Sequence, residues 1–261
     1  MNEEKLKVIA SFGRRYQKDH LYKERDKNTL QQLLISDWWE ALKFFFERSF
    51  MRGRRDEISI TFMRRASRIL KDFLGSDKDK TLKILSNNEW KDNLQFKLQK
   101  GMVNNQGDRR MIVSTLELIS KLQDTGFNLV TYSTKEIREK KIEELYEKLD
   151  ELDYVGDKIT SFFLRDVVCI FDLQLDNEQQ VFLQPVDTWV GKVIKDLNIY
   201  RESDIDKAIG NKKLLHIVRK SIVESCNNIG VSPIEFNQGA WYIGFHSFQI
   251  LLENLLRIRQ E

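Results

Sequence analysis

Apolar residues recur every three to four positions along most of this chain, and runs that alternate at every second position are few. The pattern predicts an all-α protein. Residues 1–28 are polar and basic and read as a short helix followed by the charged connector His20–Asn28. From Leu30 to Phe50 the apolar positions keep helical spacing, with Asp37 as the N-cap of a second helix. Met51–Ser59 is a connector, and a helix over Ile60–Leu74 stops at Gly75. Asp77–Leu85 and Trp90–Lys100 are shorter helices on either side of the cap-rich Ser86-Asn87-Asn88. Gly101–Arg110 is the most loop-like segment of the first half, and the amphipathic stretch Met111–Thr125 ends at Gly126.

In the second half, Ser133 or Thr134 is expected to cap one long charged helix, Lys135–Leu152. A turn, Tyr154-Val155-Gly156-Asp157, leads into an apolar helix over Lys158–Phe171. Asp172–Gln180 is a polar linker before Val181-Phe182-Leu183. Further helices are predicted at Thr188–Leu197, Ser203–Ile209 and Leu214–Asn227. The last, Ala240–Arg259, follows a polar turn at Ser232–Gly239. No internal repeat or low-complexity tail interrupts the pattern.

Composition changes this picture little. The 261 residues hold only two prolines, and the chain is long enough for one large domain or two packed lobes. A net charge of +3 is too small to point to a polyanion by itself. Clusters say more: Arg14-Arg15, Arg52/Arg54/Arg55, Arg64/Arg65/Arg68 and Arg109/Arg110 fit a phosphate-facing surface, although a solvated charged face is the plainer reading of any one of them. Cys169 and Cys226 are the only cysteines and read as buried free thiols; His20, His216 and His246 lack metal-ligand spacing. No segment approaches about 18 consecutive apolar residues and the first residues lack a signal-peptide core, so no membrane partner and a cytoplasmic location are expected.

The candidate chemistry lies in Leu152–Leu197. Lys158 opens one amphipathic helix just after Gly156, and Asp187 opens the next just after Pro185. A lysine at a helix N-terminus faces the positive end of the helix dipole, which favours the neutral, nucleophilic amine. A capping aspartate is held rigidly, as preorganised stabilisation of a developing cation requires. Together they are the minimum equipment for attacking a sugar carbon. Each also has a plain structural reading, as a solvated lysine and as a helix cap.

Leu152, Val155, Gly156 and Lys158, with Val186-Asp187-Thr188-Trp189-Val190 behind them, resemble the helix-hairpin-helix DNA glycosylase superfamily. Asp153 and Tyr154 stand where that family usually has Pro and Gly, and Trp189 where His is common. The 28 residues between Lys158 and Asp187 make a longer linker than in endonuclease III. With two cysteines there is no iron–sulfur cluster, which moves the resemblance toward the 8-oxoguanine glycosylases. The resemblance implies a two-lobed all-α fold with the active-site cleft between lobes. One glycosylase unit would span 1–261, with a central lobe at about 38–165 and a second from 1–37 plus 166–261.

The resemblance further implies base-excision repair by a glycosylase with AP lyase activity, acting as a monomer on double-stranded DNA that holds a damaged base. Lys158 would be the Schiff-base nucleophile and Asp187 the essential carboxylate. Val155, Gly156 and Asp157 would meet a DNA phosphate; no cofactor is expected, although the resemblance allows a monovalent cation at the hairpin. Arg52, Arg54 and Arg55 are further DNA-contact candidates. Enzymes of this kind flip the base out of the duplex and hold it between side chains; Trp189, Asn237, Gln238 and Trp241 are the pocket candidates. The alternatives are a non-catalytic helix-hairpin-helix DNA-binding protein and a glycosylase for a different modified base.

Overall fold

The computed structural model describes residues 3–51, 56–75, 77–87, 89–200, 208 and 211–258. Among them the regular structure is all helical. In chain order the helices are α1 (Glu3–Tyr16), α2 (Lys27–Ser36), α3 (Trp38–Ser49), α4 (Asp56–Leu74), α5 (Lys78–Leu85), α6 (Trp90–Lys100) and α7 (Gln106–Ser120). They continue with α8 (Leu129–Arg138), α9 (Ile142–Asp150), α10 (Gly156–Phe171), α11 (Asn177–Gln180), α12 (Thr188–Asp196), α13 (Lys212–Asn227) and α14 (Pro233–Ile258). A π-helical turn, Gln17–Tyr22, continues α1. The helix expected at Ser203–Ile209 lies, Ala208 apart, outside the described residues.

Three expectations are corrected. The long helix Lys135–Leu152 is two helices. Asn128 caps α8 by accepting from the Thr131 N–H (2.8 Å), while its amide donates to the carbonyls of Leu34 (2.7 Å) and Ile35. Ser133 and Thr134 therefore lie inside α8, where their hydroxyls bond back to the carbonyls of Leu129 and Thr131. The break falls at Lys140, at φ +63°, in Glu139-Lys140-Lys141, where no apolar residue is lost from the core. The second correction is Ser232–Gly239, which is helix. Pro233 takes the first helical position, where a missing N–H is harmless, and Ser232 Oγ accepts from the Glu235 N–H. Third, Gly101–Arg110 is loop only as far as Asn105, whose side chain accepts from the Asp108 N–H and starts α7.

The chain folds as two compact units, one of Met1–Lys27 with Leu164–Glu261, the other of Asn28–Phe163. The continuous unit is filled by aromatic and aliphatic side chains. Phe45, Phe46, Phe50 and Phe163 are buried with Leu42, Leu70, Leu94 and Leu116, and Phe45 and Phe163 meet edge to face at 5.1 Å.

The discontinuous unit is built on a close crossing of α1 and α14. A Cβ at Gly13 would lie 2.4 Å from the Glu235 carbonyl oxygen, and one at Gly239 would lie 1.9 Å from that of Ile9. Only glycine lets the two backbones approach so closely. Around this crossing Leu6, Ala10, Val190, Ile194, Ile222, Phe236 and Ala240 form one apolar cluster.

Candidate functional site

Lys158 is the third residue of α10 and is half-buried. The turn before it is anchored by the buried side chains of Leu152 and Val155, and the Val155 N–H donates to the Leu152 carbonyl at 3.1 Å. Gly156 has φ +63°, a conformation that suits glycine. Tyr154, where the resembled hairpins carry glycine, adopts φ +59° all the same. The turn is tied to α7: Arg110 bonds the Asp153 carboxylate through Nη2 (2.9 Å) and Nε (3.4 Å), and the Asp153 N–H donates to Ser114 Oγ. Asp157 accepts from the Tyr146 hydroxyl at 3.3 Å. A cation at this turn would need outward carbonyl oxygens. That of Leu152 is engaged by Val155 and the Asp153 carboxylate by Arg110, an arrangement that does not fit a cation site.

Asp187 is the N-cap of α12, with Oδ1 accepting from the amides of Trp189 (2.9 Å) and Val190 (3.0 Å). Two buried side chains pin the backbone leading to it. Arg219 Nε donates to the Gln184 carbonyl at 2.9 Å, and Asn237 Nδ2 to the Pro185 carbonyl at 3.1 Å. Asn237 Oδ1 in turn accepts from Arg165 Nη1 (2.8 Å), and Arg165 pairs with Asp166 through Nε and Nη2. The Tyr16 hydroxyl closes the chain by donating to Asp166 Oδ2 at 2.8 Å. Arg165 and Asp166 are 1% and 0% exposed. Burial opposes the Arg165 charge, but Asp166 and Tyr16 outweigh it and hold the guanidinium pKa above its usual value. A continuous polar path therefore links α1, α10 and α14 to the residues just before Asp187.

This network was missed in the sequence. Its one local signal is Arg165-Asp166, two charges interrupting the apolar run of α10; such a pair is tolerated inside only when each group is partnered.

The structure separates the four pocket candidates into two kinds. Asn237 and Gln238 are fully buried inside α14. Both ends of the Asn237 amide are engaged as described, and Gln238 Oε1 accepts from Gln17 Nε2 at 2.9 Å. Gln238 Nε2 is buried with no hydrogen-bond partner among the described residues. Trp189 and Trp241 are more open. Trp189 is 38% exposed, lies against Gly244, where a Cβ would come within 2.5 Å of its ring, and has the Lys192 ammonium 4.6 Å from its ring centre. Trp241 stacks on Phe245 at 4.9 Å and meets His20 edge-on at 5.2 Å.

His20 belongs to the π-helical turn, and its Nε2 is 2.9 Å from Nε2 of His246, the residue at which α14 kinks. Burial first, then His246, lowers the His20 pKa to about 4, with Lys23 acting the same way and Asp19 and Asp166 opposing. Burial raises Cys169 to about 11 and Cys226 to about 12, so both thiols are inert at neutral pH. A cavity of about 540 Å³ opens in the discontinuous unit among Gln17, Tyr22, Lys27, Cys169, Asp172 and Glu235. Arg52, Arg54 and Arg55 lie outside the described residues. Among the described residues no helix is long and apolar enough to cross a membrane.

No protein-family model matches the chain, and no solved structure matches it. It is 37% identical over 83 residues to an uncharacterized protein, MJECL21, of Methanocaldococcus jannaschii. That stretch is 31% of this chain and 19% of the relative, so the chain matches about a fifth of the relative's length.

Proposed function

We propose that this protein is a DNA glycosylase with AP lyase activity of the helix-hairpin-helix kind, with the two-lobed fold that goes with it. It removes an oxidised base from double-stranded DNA, with 8-oxoguanine the first substrate to test. One observation carries the reading: a half-buried lysine sits in the first turn of an apolar helix behind a glycine turn, and the aspartate that follows in the chain caps a helix on a backbone pinned from inside. The cap contacts fall on Oδ1 of Asp187, and the fixed backbone suits a carboxylate that must meet a developing charge without reorganising.

In the reaction, the neutral amine of Lys158 attacks C1′ of the damaged nucleotide. The C1′–N bond breaks and its electron pair leaves with the base, which takes up a proton. Asp187 stabilises the oxocarbenium-like transition state and takes a proton from the lysine nitrogen after it bonds to C1′; the C1′–O4′ bond then breaks, O4′ takes up a proton, and the Schiff base remains. Loss of a C2′ proton then expels the 3′ phosphate by β-elimination.

The test is borohydride trapping of the purified protein on duplexes holding different damaged bases. Wild type should give a stable adduct, with the adduct peptide containing Lys158, and Lys158→Gln should give none while still binding DNA. An adduct peptide carrying another lysine, or no adduct with any duplex, would remove the assignment.

A further inference from the structure

Tyr154 has no part in the chemistry proposed for Lys158 and Asp187, yet its backbone shapes the hairpin turn. Its φ of +59° is one that a bulky L residue seldom adopts. Its side chain does not gain burial in return, because the residue is 53% exposed. The neighbouring residues also preserve its position. Gly107 leaves room for the ring, since a Cβ there would come within 2.9 Å of Tyr154 Cδ1. The Arg110 guanidinium lies 5.5 Å from the ring centre, and its ion pair with Asp153 fixes it there. An exposed aromatic ring held in a sparsely populated backbone conformation is a reason to look for a contact outside the fold.

We propose that Tyr154 and Arg110 form a stacking platform for an unpaired nucleobase of bound DNA, with the guanidinium facing the adjoining phosphate. A flat ring beside a delocalised cation suits the π-face of any base together with its backbone charge. The platform uses α7 and the turn alone, and glycine, which the resembled hairpins carry in place of Tyr154, cannot supply it. The inference rests on the reading that this hairpin faces DNA.

Anisotropy titrations of the full chain test it, using an end-labelled single strand, a duplex with one abasic-site analogue, and an undamaged duplex. Tyr154→Gly relieves the backbone, so its thermal midpoint should be no lower than wild type. It should nonetheless weaken binding to the first two DNAs about tenfold, and to the undamaged duplex by clearly less. Tyr154→Leu should follow Tyr154→Gly, and Tyr154→Phe should follow wild type. Wild-type affinity of Tyr154→Gly for all three DNAs would overturn the proposal. So would an equal loss on the undamaged duplex, or a loss in Tyr154→Phe as large as in Tyr154→Gly, which would make the contact one of the hydroxyl. The two readings fail separately: a Lys158 adduct with binding indifferent to Tyr154 removes the platform and keeps the glycosylase. Binding that depends on Tyr154, with no adduct on any duplex, does the reverse.

Discussion

The turn before Lys158 is held by two buried apolar side chains and exposed polar contacts, whereas the segment before Asp187 is held by buried polar contacts. Around Asp153 and Tyr154 the supports are an exposed ion pair, a half-exposed ring and a single hydroxyl contact from α7. Around Gln184 and Pro185 they are Arg219 and Asn237, 5% and 0% exposed, backed by the buried Arg165–Asp166 pair. Exposed ion pairs contribute little and are screened by salt, while a buried polar network is costly to break at any member. The polar contacts of the lysine side are thus adjustable, and those of the aspartate side depend on the integrity of its unit.

The sharpest test of that difference is Asp187→Asn. Asparagine caps nearly as well, so the thermal midpoint should stay close to wild type. Base excision should fall by several orders of magnitude, since the charge it stabilises exists only in the transition state. Near-normal excision in single-turnover assays would reduce Asp187 to a cap.

Arg165→Met comes next, through stability. It leaves the Asp166 carboxylate buried with the Tyr16 hydroxyl but without its guanidinium, and should cost about 3–5 kcal/mol in urea unfolding. Asn237→Ala should cost about 1–3 kcal/mol by leaving the Pro185 carbonyl and Arg165 Nη1 without that partner. If the buried chain positions Asp187, the excision rate of the folded Asn237→Ala protein should fall with DNA affinity unchanged. A loss of stability alone would make Asn237 structural.

A smaller effect is expected from pH. His20 has a folded pKa near 4, below its ordinary 6.5, so the unfolded chain binds the proton more readily. Stability should therefore fall as pH drops from about 6.5 to about 4, with that contribution fully lost below 4. His20→Gln should flatten this part of the profile of thermal midpoint against pH. An unchanged profile would remove His20 as the source of that acid sensitivity.

What was legible in the sequence divides along the same line. The turn, the start of an apolar helix near Lys158, and the caps Asp37 and Asp187 could all be read, because each depends on residues within a few positions. The buried network was not legible, because Tyr16 and Asp166 are 150 residues apart and Arg165 and Asn237 are 72 apart. Nothing local distinguishes their pairing from other polar residues on helices. Asn237 and Gln238 illustrate the cost of misplacing a boundary: as a turn they would present amides outward, but Pro233 starts α14 early enough to carry both inside. Tyr154 is the opposite case: it stands where the resembled pattern has glycine, and its backbone adopts φ +59°.

The glycine crossing of α1 and α14 also sets an order of events. Asn28–Phe163 is one unbroken stretch, and its contacts can form as soon as that stretch is available. Gly13 cannot meet Glu235, nor Gly239 meet Ile9, until more than 200 intervening residues have been made and brought round. Such distant pairings carry the loop-closure cost first and gain their contacts last, which makes them slow steps. A nascent chain would thus hold a completed α2–α10 core while α1 waits with Leu6 and Ala10 uncovered. The unit carrying Asp187 needs both α1 and α14, so a chain stalled before α14 would hold a finished Asn28–Phe163 unit and an unfinished seat for Asp187.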